Sequence, residues 1–234
     1  MERPFNPIVI FTVLPKLIAY LPVTLVLTIA TVTIGLLLGF LLARAKMSKS
    51  SLPRNLASAY VTAMRCTPSI VLLFLVYYGL PALIKIIFGI DINGMNKAVF
   101  VVIALSMLFA ANLCELLRAA YLSVDKGQRE AALSAGLSEA QAFFRITAPQ
   151  AAVAALPNLC NALTSLLKEG ALAYTIGMID MMGQGMLIIN RNYGAYGLEV
   201  YIALALVYWV LTLVIERSFK ALEKYLARGK RRLG

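Results

Sequence analysis

Arg129 to Pro149 reads R-E-A-A-L-S-A-G-L-S-E-A-Q-A-F-F-R-I-T-A-P, a polar island between segments apolar enough to live in lipid. Glu130, Ala131, Ala132 and Leu133 favour a short helix because Ala and Leu lose little side-chain freedom there, and Gly136 supplies a point where the backbone can turn sharply. Ser138 restarts the helix. With Gln141 three residues later it makes a capping-box pattern, each side chain answering an unpaired amide at the new N-terminus. Pro149 closes the island. The expected product is two short helices at an angle, with small residues at the corner and Phe143 and Phe144 on the second. That is either a folded protrusion built to be gripped or a helix-turn-helix loop of no special purpose.

Outside the island, composition sets the class. The 234 residues are 61% hydrophobic, with mean hydropathy +0.81; such a chain cannot hide its apolar surface in a water-soluble core, which makes it a polytopic membrane protein. The formal net charge is +11. The basic residues sit between apolar runs and at the C-terminus, where positive-inside topology accounts for them, so nucleic acid is not the expected partner. Cys66, Cys114 and Cys160 form neither a Cys-x-x-Cys pair nor an even disulfide framework and read as packing residues. Histidine is absent, which removes the commonest metal ligand and general base; no metal site, cofactor or catalytic residue is expected.

In chain order, residues Met1 to Pro15 are too Pro-interrupted and too lightly basic for a cleavable signal peptide. Five spans follow, at about 17–43, 57–88, 97–121, 151–178 and 198–215, in one transmembrane domain over 1–234. Gly35 and Gly39 make a small-xxx-small face on the first. Pro68 and Gly79-Leu80-Pro81 interrupt the second, leaving one kinked span with an interfacial tail or a span plus a short outer helix. Asp91-Ile92-Asn93-Gly94 reads as an outer turn. The basic residues Arg44, Lys46, Lys49 and Arg54, the island at 126–149, and the terminal run from Arg217 to Arg232 fall on one side, expected to be cytoplasmic. The amino terminus is then outside and the carboxyl terminus inside.

The order Glu130-Ala131-Ala132, Gly136, Ile146, Pro149 is similar to the EAA loop of ABC importer permeases, with Ala148 where that pattern usually has Leu. Around it, Thr24-Leu25-Val26-Leu27-Thr28, Arg65-Cys66-Thr67-Pro68, Tyr77-Tyr78-Gly79-Leu80-Pro81, Gly127-Gln128, Leu156-Pro157 and Lys168-Glu169 resemble the polar amino acid branch, the histidine, glutamine and cystine-type permeases. Cys66 stands where the branch usually has Gly, and Glu169-Gly170-Ala171-Leu172 where it usually has Asp-Thr-Ser-Leu. The resemblance implies an all-α membrane protein with the type I ABC importer permease (MetI-like) fold. It also implies that the loop docks on separate ABC ATPase subunits, which bind the ATP; that a second permease copy or paralogue completes the pore; and that an extracytoplasmic substrate-binding protein delivers an amino acid. The region from Ile179 to Tyr201 resembles the cystine-type members most.

Charges at membrane depth persist only where paired or facing water. Arg65, read as lying inside the second span with Pro68 three residues on, could hold a carboxylate from a cavity or pair with a neighbouring helix. Glu115 and Arg118 are spaced for an i, i+3 pair. Glu169 could accept a substrate amino group or pair with Lys168. The chain has no Gly-x4-Gly-Lys-Ser/Thr loop, so ATP hydrolysis is expected of another polypeptide. The expected function is the permease subunit of an ATP-driven, binding-protein-dependent importer of polar amino acids. The alternative is an ion-coupled secondary carrier, which would need an inverted repeat that the two halves do not display.

Overall fold

The computed structural model describes residues 5–227, and the elements named below are those of the described residues. Helices α1 Pro7–Ile18, α2 Leu21–Lys46 and α3 Ser51–Cys66 come first, then α4 Ser69–Phe88 and α5 Lys97–Leu122. The island follows as α6 Lys126–Ser134 and the start of α7 Glu139–Ile176, after which come α8 Met181–Arg191 and α9 Gly197–Ala227. Four helices are long and apolar enough to cross a membrane, namely α2, α4, α5 and α9, and α7 with α8 makes a fifth if that pair, bent by 46°, is one span.

The centre is α5, 61% of whose apolar stretch is buried, against 22% for α2 and α4. Its Phe100, Val101, Ala104, Leu105, Leu108, Phe109 and Leu113 pack with Leu72 and Leu73 of α4 and Leu166, Ala173 and Ile176 of α7. The outer faces of α2 and α4, with Val26, Ile29, Leu37, Ile86 and Phe88 exposed, are left for lipid or another subunit. The expected small-residue face of α2 is there: a Cβ at Gly35 would lie 2.6 Å from Phe109 Cδ1, and one at Gly39 would lie 2.7 Å from Leu113 Cδ2. Only glycine lets α2 approach α5 that closely.

Several boundaries differ from the sequence reading, each for a local reason. The stretch before Leu17 is helical despite Pro15, because Ile10, Val13 and Leu17 share a face that packs on Val200, Ala203 and Leu204 of α9. Asn6 caps this helix by accepting the Ile8 N–H at 3.1 Å. The first long helix therefore starts at Leu21, after a turn at Ala19 and Tyr20. The run expected as one span over 57–88 is two helices parted at Thr67 and Pro68, as a proline disfavours helical backbone in the residue before it. Arg65 accordingly sits in the last turn of the amphipathic α3, outside the apolar helix that starts at Ser69.

Pro81 and Pro149 do not interrupt their helices. Each is preceded by a widened turn with i to i+5 bonding, Leu75–Gly79 and Phe143–Thr147, and the extra residue takes up the bond and the space that a proline ring denies an ordinary turn. Pro149 therefore does not close the island, whose second helix runs on into the membrane. The helix that holds the expected fourth span, 151–178, starts at Glu139. It ends not at Met178 but in a break at Gly177 followed by α8. The last helix reaches Ala227, well past Ile215; the run Arg228 to Arg232 lies outside the described residues. At the expected outer turn, the Asn93 N–H, Lys85 and the Asn93 side chain bond the Asp91 carboxyl, whose pKa is lowered to about 2.

Candidate functional site

The island is built as a rigid corner. Asp125 caps α6 by accepting the Gly127 N–H at 2.6 Å. At the far end, the Gly136 N–H donates to Leu133 O at 3.0 Å and the Leu137 N–H to Ala132 O at 3.1 Å, a closure that requires a left-handed residue between them. Gly136 has φ 87°. The capping box is complete: Gln141 N–H donates to Ser138 Oγ at 3.3 Å, and Ser138 N–H to Gln141 Oε1 at 2.9 Å. One brace was not read from the sequence. Arg129 Nε donates to Glu139 Oε2 at 3.1 Å, and its Nη2 bonds both carboxylate oxygens, joining α6 to the start of α7.

Ala132 faces inward, 7% exposed, while Glu130, Ala131, Gly136 and Pro149 are exposed and Ile146 is half-buried. Phe144 stands 71% exposed at the end of this surface, its ring 5.1 Å from that of Phe143 in an edge-on pair. A stiff corner with small residues and one bare aromatic has no chemistry to perform, but it can fill a cleft on another protein.

The charges singled out in the sequence fall into two separate clefts. Along one face of α7, Asn161, Ser165 and Glu169 repeat every four residues, and with Phe109 and Asn112 of α5 they line an open cleft of about 190 Å³. Glu169 is half-buried and has no hydrogen bond or ion pair among the described residues; in particular it does not pair with Lys168, which is exposed. The second cleft, about 430 Å³, is lined by Lys46, Val61, Thr62, Arg65, Cys66 and Glu115. Here Glu115 accepts from Arg118 Nε at 3.0 Å, the expected i, i+3 pair, and also from Lys46 Nζ. Lys46 comes from α2, so the cluster ties α2 to α5. The Arg65 side chain is exposed and unbonded beside that trio, whose two cations outnumber its one carboxylate.

Two buried carboxylates escaped the sequence reading. Asp180, 1% exposed, caps α8 by accepting the Gly183 N–H at 2.9 Å and takes a bond from Thr24 Oγ1 at 3.3 Å. Glu199, 5% exposed, accepts the Asn6 N–H at 2.9 Å, fixing α1 to the top of α9. The helix-start position of Asp180, just past a glycine break, was the signal that could have exposed the first. Among the described residues no group of three His, Cys, Asp or Glu side chains could hold a metal.

A multi-pass helical bundle with an ordered polar corner and unpaired charge in open clefts has the build of a membrane transport subunit. Residues 35–228 match the family described as binding-protein-dependent transport system inner membrane component, and the chain belongs to that family. It is the permease subunit of an ABC importer, a multi-pass inner-membrane protein whose ATPase is a separate subunit. The chain is 41% identical over 233 residues to the L-cystine transport system permease protein TcyL of Bacillus subtilis (strain 168), covering 100% of this chain and 96% of that one. It is 40% identical to the probable amino-acid permease protein YxeN of the same organism, covering 86% of each. Among solved structures, an amino acid ABC transporter crystallised with histidines superposes with TM-score 0.83 at 33% identity, covering 95% of this chain and 100% of that one. The inward-facing MetNI methionine transporter shares the fold, with TM-score 0.67 at 18% identity over 95% of this chain. The type I importer permease fold expected from the sequence is thus the one observed.

Proposed function

We propose that this permease imports polar amino acids, cystine first among them, by alternating access of a pore completed by a second permease copy or paralogue. The observation that carries the reading is the 41% identity to a cystine permease over the whole chain. A separate extracytoplasmic binding protein delivers the substrate, and the corner at Glu130, Ala131, Ala132, Gly136, Ile146 and Pro149 sits in a cleft of the ATPase. The test is uptake of labelled cystine by vesicles holding permease, ATPase and binding protein. Excess arginine or glutamine should leave it standing, and displacement of cystine by either would reassign the substrate.

Within the membrane, Glu169 is the partner for the substrate ammonium. Its freedom from Lys168 supports this, because a half-buried carboxylate without a protein cation is costly unless a cation arrives. Arg65 is the partner for a carboxylate at a different station, since no one cleft contains both residues. Glu115 and Arg118, with Lys46, flank that station as an ion-paired brace of net positive charge.

The orientation that goes with this reading has the amino terminus outside and the corner in the cytoplasm. Single reporter cysteines at Gly94 and Asn192, in a background lacking Cys66, Cys114 and Cys160, should label from outside in sealed cells, whereas one at Ser138 should stay unlabelled. Labelling of Ser138 would reverse the topology and put the corner out of reach of an ATPase.

A further inference from the structure

Between α8 and α9 the chain turns through Asn190-Arg191-Asn192-Tyr193-Gly194, and Tyr193 at its tip is 99% exposed. It is also the one non-glycine residue with positive φ among the described residues, at 51°. Backbone in that region is unfavourable for a side chain as large as tyrosine, and such strain is held only where surrounding bonds enforce it. They do: the Asn192 N–H donates to Ile189 O, Tyr193 N–H to Asn190 O, Gly194 N–H to Ile189 O and Ala195 N–H to Asn192 O, all at 2.9 to 3.1 Å. Asn192 Nδ2 adds a bond to Ile188 O at 2.8 Å. The turn is therefore stiff, and it lifts an aromatic ring away from every part of its own chain. Packing within the chain explains neither the ring nor the strain.

We propose that this turn is the docking finger for the extracytoplasmic substrate-binding protein, with Tyr193 as its anchor and Arg191 beside it. The inference rests on the importer reading and adds to it the surface that meets the partner. Position selects the side. Helix α7 rises from the coupling corner, α8 continues past the 46° bend, and α9 returns, so the turn lies at the end of the bundle remote from the corner. The family description itself requires a binding protein. Chemistry selects the kind of contact: tyrosine and arginine dominate interface hot spots, and tyrosine offers a large area while only two side-chain torsions are frozen. Arg191 is exposed and unpaired, which adds a charge contact. A lipid-anchoring tyrosine sits at the headgroup level of the membrane–water interface. Tyr193 instead stands on a turn among Asn190, Arg191, Asn192 and Gly194, past the apolar part of both helices.

The test uses the assembled transporter, permease with its ATPase, in nanodiscs, titrated with its purified, cystine-loaded binding protein while ATP hydrolysis is recorded. Tyr193→Gly removes the ring and relaxes the backbone, so loss of folding is not the expected result; Tyr193→Phe keeps the ring. Tyr193→Gly should raise the half-saturating concentration of binding protein about tenfold or more, as loss of an interface anchor does, with basal hydrolysis unchanged and Tyr193→Phe near wild type. An unshifted half-saturation in Tyr193→Gly overturns the finger. So does a drop in basal hydrolysis and yield without a shift, which would make Tyr193 a lipid or subunit contact. If the unaltered transporter shows no stimulation by binding protein, the importer reading itself fails and takes the finger with it.

Discussion

Gly136→Val is expected to leave the permease inserted and paired with its partner copy, and to lose most of the ATPase coupling. The residue has φ 87°, and an added Cβ there would meet nothing within 4 Å. The damage is thus conformational, not steric: a β-branched residue in left-handed backbone costs on the order of 1–3 kcal/mol. The corner can avoid that cost only by opening the Leu137 to Ala132 closure, which swings α6 away from α7 and strains the Arg129–Glu139 brace. A docking surface misplaced in this way loses its fit, because interface affinity depends on shape more than on area. Substrate-stimulated hydrolysis and transport should fall at least about tenfold, the effect of roughly 1.4 kcal/mol on docking, while detergent elution profiles stay normal. Gly136→Ala should fall between wild type and valine. Full coupled hydrolysis in Gly136→Val would show that the corner is not what the ATPase holds.

The second large effect is expected at Glu169. Replacing it with Gln keeps the shape and removes the charge, and a hydrogen bond to a charged group contributes about 1.5–3 kcal/mol. Uptake per folded transporter should therefore drop about ten- to a hundredfold, with assembly and basal hydrolysis close to normal. The absence of a Lys168 bond sharpens the comparison. Were Lys168 the true partner, Glu169→Gln would lower the amount of folded protein, and adding Lys168→Met would restore it. On the present geometry the double variant should transport no better than Glu169→Gln alone. An unchanged uptake rate in Glu169→Gln would remove that residue from the substrate path.

The corner was legible in the sequence almost to the hydrogen bond, because its parts are local: a glycine where the backbone must turn left-handed, a serine and glutamine three residues apart, and small residues where helices meet. The Gly35 and Gly39 face and the Glu115–Arg118 pair were legible for the same reason. What escaped depends on residues distant in sequence. Lys46 meets Glu115, Thr24 meets Asp180, and Asn6 meets Glu199 across 193 positions; no window along the chain contains both partners. The prolines misled in a more instructive way. Pro68 does break its helix, since nothing precedes it to absorb the lost bond, whereas Pro81 and Pro149 each follow a widened turn that does. Helix α1 was not read from the sequence, which was judged there only against a signal peptide; its Ile10, Val13, Leu17 face becomes decisive only through packing on α9. For the cleft at Glu169, the spacing Asn161-x3-Ser165-x3-Glu169 was there to be seen. Its polar stripe acquires meaning only once Phe109 and Asn112 close the other side.

The central claim is that transport through this chain is driven by nucleotide on a partner subunit and not by an ion gradient. The most direct measurement places the permease, its ATPase and its binding protein in sealed vesicles and follows labelled cystine, with ATP supplied on the side of the coupling corner and sodium and proton gradients collapsed by ionophores. The account expects uptake that requires ATP, is indifferent to the ionophores and is lost in Gly136→Val. Uptake that persists without nucleotide and follows an imposed sodium or proton gradient would contradict it.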